Sequence, residues 1–364
     1  MILFSNPKKN YTRKKNKINQ SLIKALNSGL YINSAQVKKF EKNFSNYLSV
    51  KYCVGVGNAT DAIYLSLLAL NIGEGDRVIV PSHTATGTVL AIINTGAKPI
   101  FVDIDPNSYN INHLLINRNI IKSAKAIILV HLYGQSTEMD EFIKISKKFN
   151  IPIIEDCSQA AGAKYKNKKV GSIGLMGCFS FFPTKNLASY GDGGLISTNN
   201  KKYEKKLRSL KEYGWNNKRD TIYRGINSRL DEIHAAILNV KLKYLDVDNN
   251  ERRFLANRYN EKIKNKEIIK PLESKNCFHV YHLYVIRTKY RNKLISLLNK
   301  NNIFPGIHYK IPVHKQKIFK KYSTNKLKIT EQFSNEILSL PIYPGLKVSE
   351  QNKIIKIINN FTNS

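Results

Sequence analysis

Lys185 stands in a sequence context that would let its amine act as a nucleophile. It lies in the segment SFFPTKNL (residues 180–187), which follows an apolar, strand-like run and precedes GDGG (residues 191–194). Small and turn-forming residues let such a loop approach a ligand closely. Burial and nearby positive charge lower the pKa of a lysine, and its unprotonated amine attacks aldehydes. Without these neighbours, Lys185 would be taken for one of the many solvated surface lysines.

Two further segments place polar groups directly after predicted strands. Residues 55–61 (GVGNATD) predict a glycine turn leading into a helix, where free N–H groups and the helix dipole favour a phosphate. Such turns are also common packing devices. Residues 153–159 (IIEDCSQ) place Asp156 at the end of a buried strand. A carboxylate there is costly unless a cation such as a pyridinium nitrogen meets it, although a helix N-cap is the simpler explanation.

The distribution of apolar residues predicts the elements that position these loops. Short apolar runs predict strands at residues 52–56, 77–80, 99–103, 125–131, 151–156, 178–182 and 194–198, and helical patterns fill residues 60–71, 84–95 and 139–149. This alternation is typical of a mostly parallel sheet with helices on both faces. Ligands of such sheets bind at the carboxyl ends of the strands, so the three segments should converge there. A polar loop at residues 225–231 (GINSRLD) would join them or serve as a helix cap.

The two ends of the chain follow other patterns. A basic arm precedes predicted helices at residues 18–30 and 34–48. Predicted helices at residues 230–245 and 250–266 are followed by an alternating strand at 278–286 and helices at 291–300 and 350–360. We therefore predict a large domain over residues 1–245, including the N-terminal arm, and a small C-terminal domain over residues 246–364.

The composition bounds the class of protein. The formal net charge is +33, from 59 Lys+Arg against 26 Asp+Glu. A polyanion partner is one explanation, but the basic residues are scattered and no nucleic-acid-binding motif accompanies them. Compositional drift is therefore favoured and no specific nucleic-acid partner is expected, although the field should help to capture an anionic substrate.

The cysteines and the lengths of the apolar runs indicate the cellular compartment of the protein. The four cysteines, Cys53, Cys157, Cys178 and Cys277, lie far apart and lack metal-ligand spacing. They predict reduced thiols, no metal site and a cytoplasmic protein. The apolar runs are strand-sized, so no membrane insertion is expected.

Ordered blocks along nearly the whole chain resemble the DegT/DnrJ/EryC1/StrS family of pyridoxal 5′-phosphate (PLP)-dependent sugar aminotransferases. The blocks are GNATDAI, VIVPSHT, GAKPIFVDID, HLYGQ, IIEDCSQA, SFFPTKNL, GDGG, GINSRLDEIHAAIL, HYKIPVH and LSLPIYPGL. The resemblance implies PLP as cofactor and the α/β aminotransferase fold type I. In that fold helices flank a mostly parallel central sheet, and a smaller C-terminal α/β domain follows.

The resemblance also implies roles for residues of the site. Lys185 would carry PLP as a Schiff base and shuttle protons, Asp156 would pair with the pyridinium nitrogen, and Gln159 would bond the phenolic oxygen of the cofactor.

The remaining cofactor contacts concern the phosphate. The backbone of Ala59 and Thr60, together with Ser180, would bind it. Asn227 resembles the residue that reaches the phosphate of the partner's PLP, which implies a homodimer with shared active sites.

The substrate class follows from the resemblance too. The family aminates keto-sugars carried on a nucleoside diphosphate, and L-glutamate is the usual donor. The SHTA and YGW stretches look closest to members that act at C3 of dTDP-linked 3-oxo-6-deoxyhexoses, and C4 enzymes with UDP- or dTDP-linked sugars are the alternative. His308, Tyr309, His314 and Arg229 are candidate substrate contacts, and local structural hydrogen bonding is an open alternative for the first three.

Two residues depart from the family pattern. Ala85 stands where many members stack an aromatic ring on PLP, and Ala161 replaces a frequent histidine. Related sugar dehydratases carry histidine in place of the lysine, so Lys185 argues against that activity. A non-catalytic PLP-binding regulator and a polyanion-binding protein on the same fold remain alternatives.

Overall fold

The computed structural model describes residues 1–323 and 326–362 and has an α/β architecture. Its strands are β1 (Ile2–Leu3), β2 (Tyr52–Val56), β3 (Arg77–Pro81), β4 (Lys98–Val102), β5 (Ala126–Val130), β6 (Ile153–Asp156), β7 (Lys164–Tyr165), β8 (Lys168–Lys169), β9 (Met176–Ser180), β10 (Gly194–Thr198), β11 (Cys277–Phe278), β12 (Tyr284–Arg287), β13 (Ile303–Phe304) and β14 (Ile337–Leu340). Its α-helices are α1 (Pro7–Leu26), α2 (Ala35–Leu48), α3 (Ala59–Ala69), α4 (Thr86–Asn94), α5 (Arg118–Lys122), α6 (Met139–Phe149), α7 (Lys201–Leu210), α8 (Glu232–Leu242), α9 (Leu245–Lys262), α10 (Arg291–Lys300), α11 (Lys328–Glu336) and α12 (Val348–Asn359).

A seven-stranded sheet in the order β2-β10-β9-β6-β5-β3-β4 forms the centre of the fold. β10 runs antiparallel to both of its neighbours, and the remaining adjacent pairs are parallel. Alternate residues of β5 enter different cores: Ile128 packs in the cluster that includes α3 and α4, whereas Leu129 packs with α6. A buried strand covered on both faces requires such an uninterrupted apolar run. The predicted fold class, a mostly parallel sheet flanked by helices, is confirmed.

The sequence predicts a basic arm before a helix that starts at residue 18. This prediction is wrong, because helix α1 already begins at Pro7. Pro7 occupies the first turn, where its missing N–H costs nothing, and the Asn6 side chain accepts a hydrogen bond from Lys9 N at 3.1 Å. Lysines and arginines cover the exposed face and weaken the apolar periodicity of α1. Its buried residues include Ile18 and Ala25.

The predicted strand at residues 278–286 is broken in the structure. β11 ends at Phe278 and β12 begins at Tyr284. Between them Val280 N donates to Gly134 O at 2.9 Å, and Tyr281 has a positive φ of 43°. An alternating pattern cannot reveal this interruption, since the segment between the two strands stays buried.

A second core lies in the C-terminal part of the chain. It joins residues between Leu255 and Phe361 from α9, α10, β12, β14 and α12, and it also includes Ile2. Leu245 at the start of α9 packs instead in the cluster of α2 and α8. The domain boundary near residue 246 stays a prediction. Within the described residues, no helix combines the length and the apolar character needed to cross a membrane.

Candidate active site

The polar loops meet at the carboxyl edge of the seven-stranded sheet. Asp156 is the last residue of β6 and Ser180 the last residue of β9, and these strands are parallel neighbours. Gly57 and Asn58 lead from β2 into α3. Because β2 and β9 both run antiparallel to β10, the carboxyl end of β2 lies at the same edge. Open α/β sheets bind their ligands at this edge.

The loop after β9 holds Lys185 through its neighbours. Lys185 N donates to Phe182 O at 2.9 Å. Asn186 is buried, and its Nδ2 donates to Asn249 Oδ1 at 2.8 Å and to Val280 O at 3.1 Å. A buried amide anchored to α9 and to the segment before β12 fixes the backbone on which Lys185 stands.

The Lys185 amine is half-buried and has a perturbed pKa. Burial lowers the pKa from 10.5 to about 8, while the Asp156 carboxylate opposes this change. Near pH 7.5 such a pKa leaves about a quarter of the amine unprotonated, against about one part in a thousand for an ordinary lysine. A lysine with such a pKa has a nucleophilic amine, and the catalytic role of Lys185 stays a prediction.

Asp156 is buried and bound by donors on both oxygens. Thr88 Oγ1 donates to Oδ2 at 2.8 Å, and Ser158 N donates to Oδ1 at 3.0 Å. Thr84 Oγ1 lies 3.0 Å from Thr88 Oγ1 and extends this chain of hydroxyls. The N-cap alternative for Asp156 is not realised, because β6 ends in a turn and no α-helix begins there.

The start of α3 offers donors to an anion. Asn58 is the N-cap, and its Oδ1 accepts from Asp61 N at 2.8 Å. Ala59 and Thr60 are the first helical residues, whose N–H groups have no intrahelical acceptor. A Cβ on Gly194 would lie 2.4 Å from Asn58 O, so only glycine lets β10 approach this turn so closely.

A side-chain clamp ties the loop at residues 225–231 to the same helix start. Ser228 Oγ donates to Asp61 Oδ2 at 2.6 Å and accepts from Gly57 N at 2.9 Å. Asn227 is exposed, and its Oδ1 accepts from Arg229 Nε at 2.6 Å. The structure thus brings the phosphate segment and the Asn227 loop together.

Aromatic residues and histidines form the wall around Gln159. Gln159 Nε2 donates to Tyr309 Oη at 2.8 Å, and its Oε1 accepts from Tyr133 N at 2.8 Å. Tyr133 Oη lies 2.6 Å from His83 Nε2 and also donates to His308 O. Burial lowers the pKa values of His83 and His308 to about 4. These imidazoles are therefore neutral near pH 7, and the wall adds no positive charge.

The other predicted substrate contacts, His314 and Arg229, have hydrogen-bond or ion-pair partners outside this wall. His314 is buried against Phe101 of β4, three places from β6 in the sheet, and its Nε2 lies 3.3 Å from Glu331 Oε1. Arg229 packs at the surface, where its guanidinium faces Glu212 at 3.8 Å. Substrate roles for both residues stay predictions.

Ala85 and Ala161, the two residues that depart from the family pattern, lie in different surroundings. Ala85 is half-buried at the start of α4, the helix that carries Thr88. Ala161 is buried in the core formed with α2 and α8, and its carbonyl accepts from Asn249 Nδ2 at 3.0 Å.

Sequence reasoning missed Thr88, Tyr133 and Ser228. Thr88 lies mid-pattern in a predicted helix, and nothing local shows that it reaches a carboxylate on another element. Tyr133 has a positive φ of 59°, for which the glycine that follows it in HLYGQ is a weak signal. Ser228 lies within the predicted polar loop at residues 225–231, but its partner Asp61 is distant in sequence.

An amine that is partly unprotonated near neutral pH can bond to an aldehyde, and the Asp156 carboxylate can hold a cationic ring nitrogen. Since the N-terminus of α3 offers an anion site at the same edge, the fold and this chemistry together define an α/β enzyme of the aminotransferase type. Comparison with known proteins makes the assignment specific. The chain belongs to the DegT/DnrJ/EryC1/StrS aminotransferase family, whose model matches residues 12–359.

Relatives cover nearly the whole chain. The dTDP-3-amino-3,6-dideoxy-alpha-D-galactopyranose transaminase of Aneurinibacillus thermoaerophilus is 44% identical over 361 residues, which are 99% of each protein. The crystal structure of S. venezuelae DesV in complex with a ketimine intermediate superposes with a TM-score of 0.96 at 33% identity, covering 100% of this chain and 98% of that one. NtdA from Bacillus subtilis with bound cofactor PMP gives a TM-score of 0.89 at 31% identity, covering 95% and 81%. The predicted family, fold and aminotransferase class are confirmed.

Proposed function

We propose that this chain is a PLP-dependent enzyme that moves an amino group from L-glutamate to a nucleotide-linked keto-sugar. The observation that carries the proposal is the half-buried Lys185 amine, with its lowered pKa, beside the buried Asp156 carboxylate. The relative from A. thermoaerophilus is named for a dTDP-linked 3-amino-3,6-dideoxy sugar, which favours a dTDP-3-oxo-6-deoxyhexose as the acceptor.

The residues of the site fit PLP. When bound, this cofactor supplies an electron sink for the carbanion that forms on proton removal. Asp156, held by Thr88 and the backbone of Ser158, would keep a proton at the ring nitrogen. Lys185 would hold the cofactor and then move protons at the substrate carbon. One N–H of the Gln159 amide remains available beside its bond to Tyr309, and it can donate to the phenolic oxygen.

The phosphate of the cofactor would lie at the start of α3. The N–H groups of Ala59 and Thr60 point out of the first turn, and the helix dipole favours an anion there. Ser180 ends the strand that leads to Lys185, so its hydroxyl lies at the same edge of the sheet. The clamp between Ser228 and Asp61 would hold this binding turn in place.

Spectroscopy on the purified holoenzyme tests the proposal. L-Glutamate should convert the PLP spectrum to that of the aminated cofactor and release 2-oxoglutarate, and a dTDP-3-oxo-6-deoxyhexose should restore the original spectrum. Lys185→Ala is the control and should not turn over. If only a 4-oxo sugar restored the spectrum, the acceptor carbon would be C4. If glutamate produced no spectral change, the transaminase proposal would be refuted in favour of a PLP-binding regulator.

We also propose that the enzyme is a homodimer with shared active sites, to which Asn227 contributes across the interface. Asn227 is exposed within one chain, although the clamp beside it belongs to the candidate phosphate site. Leu30, Tyr31 and Ile32 are 61%, 51% and 46% exposed, and Ile32 pairs with Asp231 at the end of the Asn227 loop. Grouped apolar residues exposed beside a functional loop are typical of an interaction surface.

Subunit mixing tests the shared site. Lys185→Ala and Asn227→Asp chains should each be inactive, the second because the added carboxylate repels the phosphate dianion. In a mixed dimer one site would carry both defects and the other neither, so activity should return after subunit exchange. No recovery despite demonstrated exchange would place Asn227 in the site of its own chain or outside it.

A cytoplasmic location completes the proposal. The cysteines Cys53, Cys157, Cys178 and Cys277 are all free thiols, and the first three are buried. Free thiols are typical of proteins in reducing compartments.

A further inference from the structure

A group of buried basic residues lies between α1, α8 and α9. Lys14 of α1, Lys241 of α8 and Arg252 of α9 are 7%, 4% and 4% exposed. Asp248 of α9 is buried with them and is 4% exposed. We call these four residues, together with Tyr190, the basic cluster. Asp248 is the carboxylate buried among these cations, and the partly exposed Glu251 also acts on Arg252. The buried members of the cluster therefore carry more positive than negative charge.

Asp248 is engaged by only one of the three cations. Lys14 Nζ lies 2.9 and 3.1 Å from its two oxygens, which closes a tight ion pair. Asn10 Nδ2 also donates to Asp248 at 3.3 Å. The carboxylate is therefore occupied by Lys14 and Asn10, and the charges of the other two cations are not compensated by contact with it.

Arg252 binds neutral partners. Its Nη1 donates to the carbonyl oxygens of Tyr281, His282 and Ile342 at 3.3, 3.3 and 2.9 Å, and its buried Nε has no hydrogen-bond partner in the described part of the chain. These carbonyl groups accept from Nη1 but do not neutralise the charge of the guanidinium.

Lys241 has still fewer partners. Its Nζ lies 4.7 Å from the centre of the Tyr190 ring, and within residues 1–323 and 326–362 it has no hydrogen bond or ion pair. Burial lowers the pKa of Lys241 to about 7. The positive charges of Lys14 and Arg252 lower this pKa as well, and the Asp248 carboxylate opposes the change. A buried ammonium of this kind is expected to meet an anion or to lose its proton.

Further polar atoms around Lys241 are also unsatisfied. In the described residues, the buried Tyr190 Oη and Asn10 Oδ1 have no hydrogen-bond partner. Tyr190 packs edge-on against Tyr11 of α1 with ring centroids 5.7 Å apart. A buried hydroxyl and a buried guanidinium N–H thus lack acceptors in the described residues around the Lys241 ammonium.

We propose that the basic cluster binds a small inorganic monoanion, such as chloride, between Lys241 and Tyr190. One negative charge would offset the excess cationic charge and accept hydrogen bonds from both the ammonium and the phenol. A monoanion suits the site, because it would hold the Lys241 ammonium in its charged form and accept from the Tyr190 hydroxyl, which lacks an acceptor in the described residues. Burial of the donors favours an ion of atomic size over an organic acid.

The site would be coupled to the catalytic loop through the chain. Tyr190 follows Lys185 in the loop that joins β9 to β10, and Asn186 in this loop is bonded to Asn249, the neighbour of Asp248. An anion at Tyr190 would therefore stabilise one end of the loop that positions Lys185. The inference does not depend on the identity of the sugar substrate.

A bromide soak tests the site directly. Crystals of the PLP-bound enzyme grown without halide and soaked in sodium bromide should show an anomalous peak within hydrogen-bond distance of Lys241 Nζ and Tyr190 Oη. A water molecule or empty density there, with bromide present in the crystal, would overturn the proposal.

A solution test uses a matched pair of lysines, Lys241 and Lys243, which lie two residues apart at the end of α8. The holoenzyme should melt roughly 2 °C or more higher in sodium chloride than in sodium gluconate of equal ionic strength, since a bound ligand stabilises the folded state. Lys241→Met should abolish this difference, while Lys243→Met, which removes an exposed charge, should retain it. Tyr190→Phe should reduce it and serves as a second variant if Lys241→Met fails to fold. Equal melting temperatures of the wild type in both salts, or an unchanged difference in Lys241→Met and Tyr190→Phe, would refute the anion site.

Discussion

The rate at which PLP-free enzyme captures PLP should follow the fraction of unprotonated Lys185. With a pKa of about 8, this fraction is half-maximal near pH 8. Between pH 7.5 and 9.5 it should rise only about fourfold, whereas an ordinary lysine would give a rise of about ninetyfold. The two cases therefore differ by far more than the error of a rate measurement.

Asp156→Asn perturbs this titration in a defined direction. The Asp156 carboxylate raises the pKa of Lys185 against the effect of burial, so its removal should move the midpoint below that of the wild type and flatten the rise. Asn keeps an oxygen that can accept the hydrogen bond from Thr88. Asp192→Asn, which removes an exposed carboxylate from the same loop, is the matched control and should leave the midpoint unchanged.

Stopped-flow absorbance of the forming Schiff base gives the rate constant at each pH. The same reaction with a free amine of known pKa gives the rate constant of its unprotonated form at each pH. Dividing the enzyme's rate constant by this value removes the effect of the ionisations of PLP itself. A rise near ninetyfold, or an Asp156→Asn midpoint above that of the wild type, would contradict the assigned environment of Lys185.

Three further predictions concern the same residues. Borohydride reduction of the holoenzyme should fix PLP on Lys185, and peptide mapping that finds the adduct on another lysine would overturn that assignment. Asp156→Asn should lower kcat by about a hundredfold or more while PLP still binds, because a neutral amide cannot hold the proton of the ring nitrogen; a kcat near that of the wild type would show that this carboxylate has no such role. Thr88→Val should lower the free energy of unfolding of the PLP-free enzyme in urea by about 1.5–3 kcal/mol, the usual contribution of a hydrogen bond to a charged group. Thr88→Ser keeps the hydroxyl and should cost much less, so equal losses would mean that the bond to Asp156 contributes little.

The central sheet could be predicted because its signals are local. An apolar run such as that of β5 needs no partner to be recognised, and the carboxyl ends of parallel strands share one edge by geometry. The position of Asp156 and of the Lys185 loop at one edge of the sheet therefore follows from the sequence pattern. Their roles toward PLP rest on the family resemblance and stay predictions.

The rest of the site depends on contacts between distant segments. Thr88 reaches Asp156 only because α4 packs over the end of β6, and Ser228 reaches Asp61 across 167 residues. Neither pairing has a periodic signal. The start of α1 had a local signal, the cap of Asn6 before Pro7, but the dense positive charge of the segment hid it.

The parallel pairing of β1 with β13 has a consequence for synthesis on the ribosome. Ile2 is aligned with Ile303, so the first strand of the chain has no strand partner until about 300 further residues have been translated. At about 5–20 residues per second this interval lasts roughly 15–60 s. During that time Ile2 and Leu3 must remain unpaired. The seven-stranded sheet can already form, because the last of its strands to be translated is β10. The C-terminal core, which includes Ile2, can therefore close only after β13 has been translated.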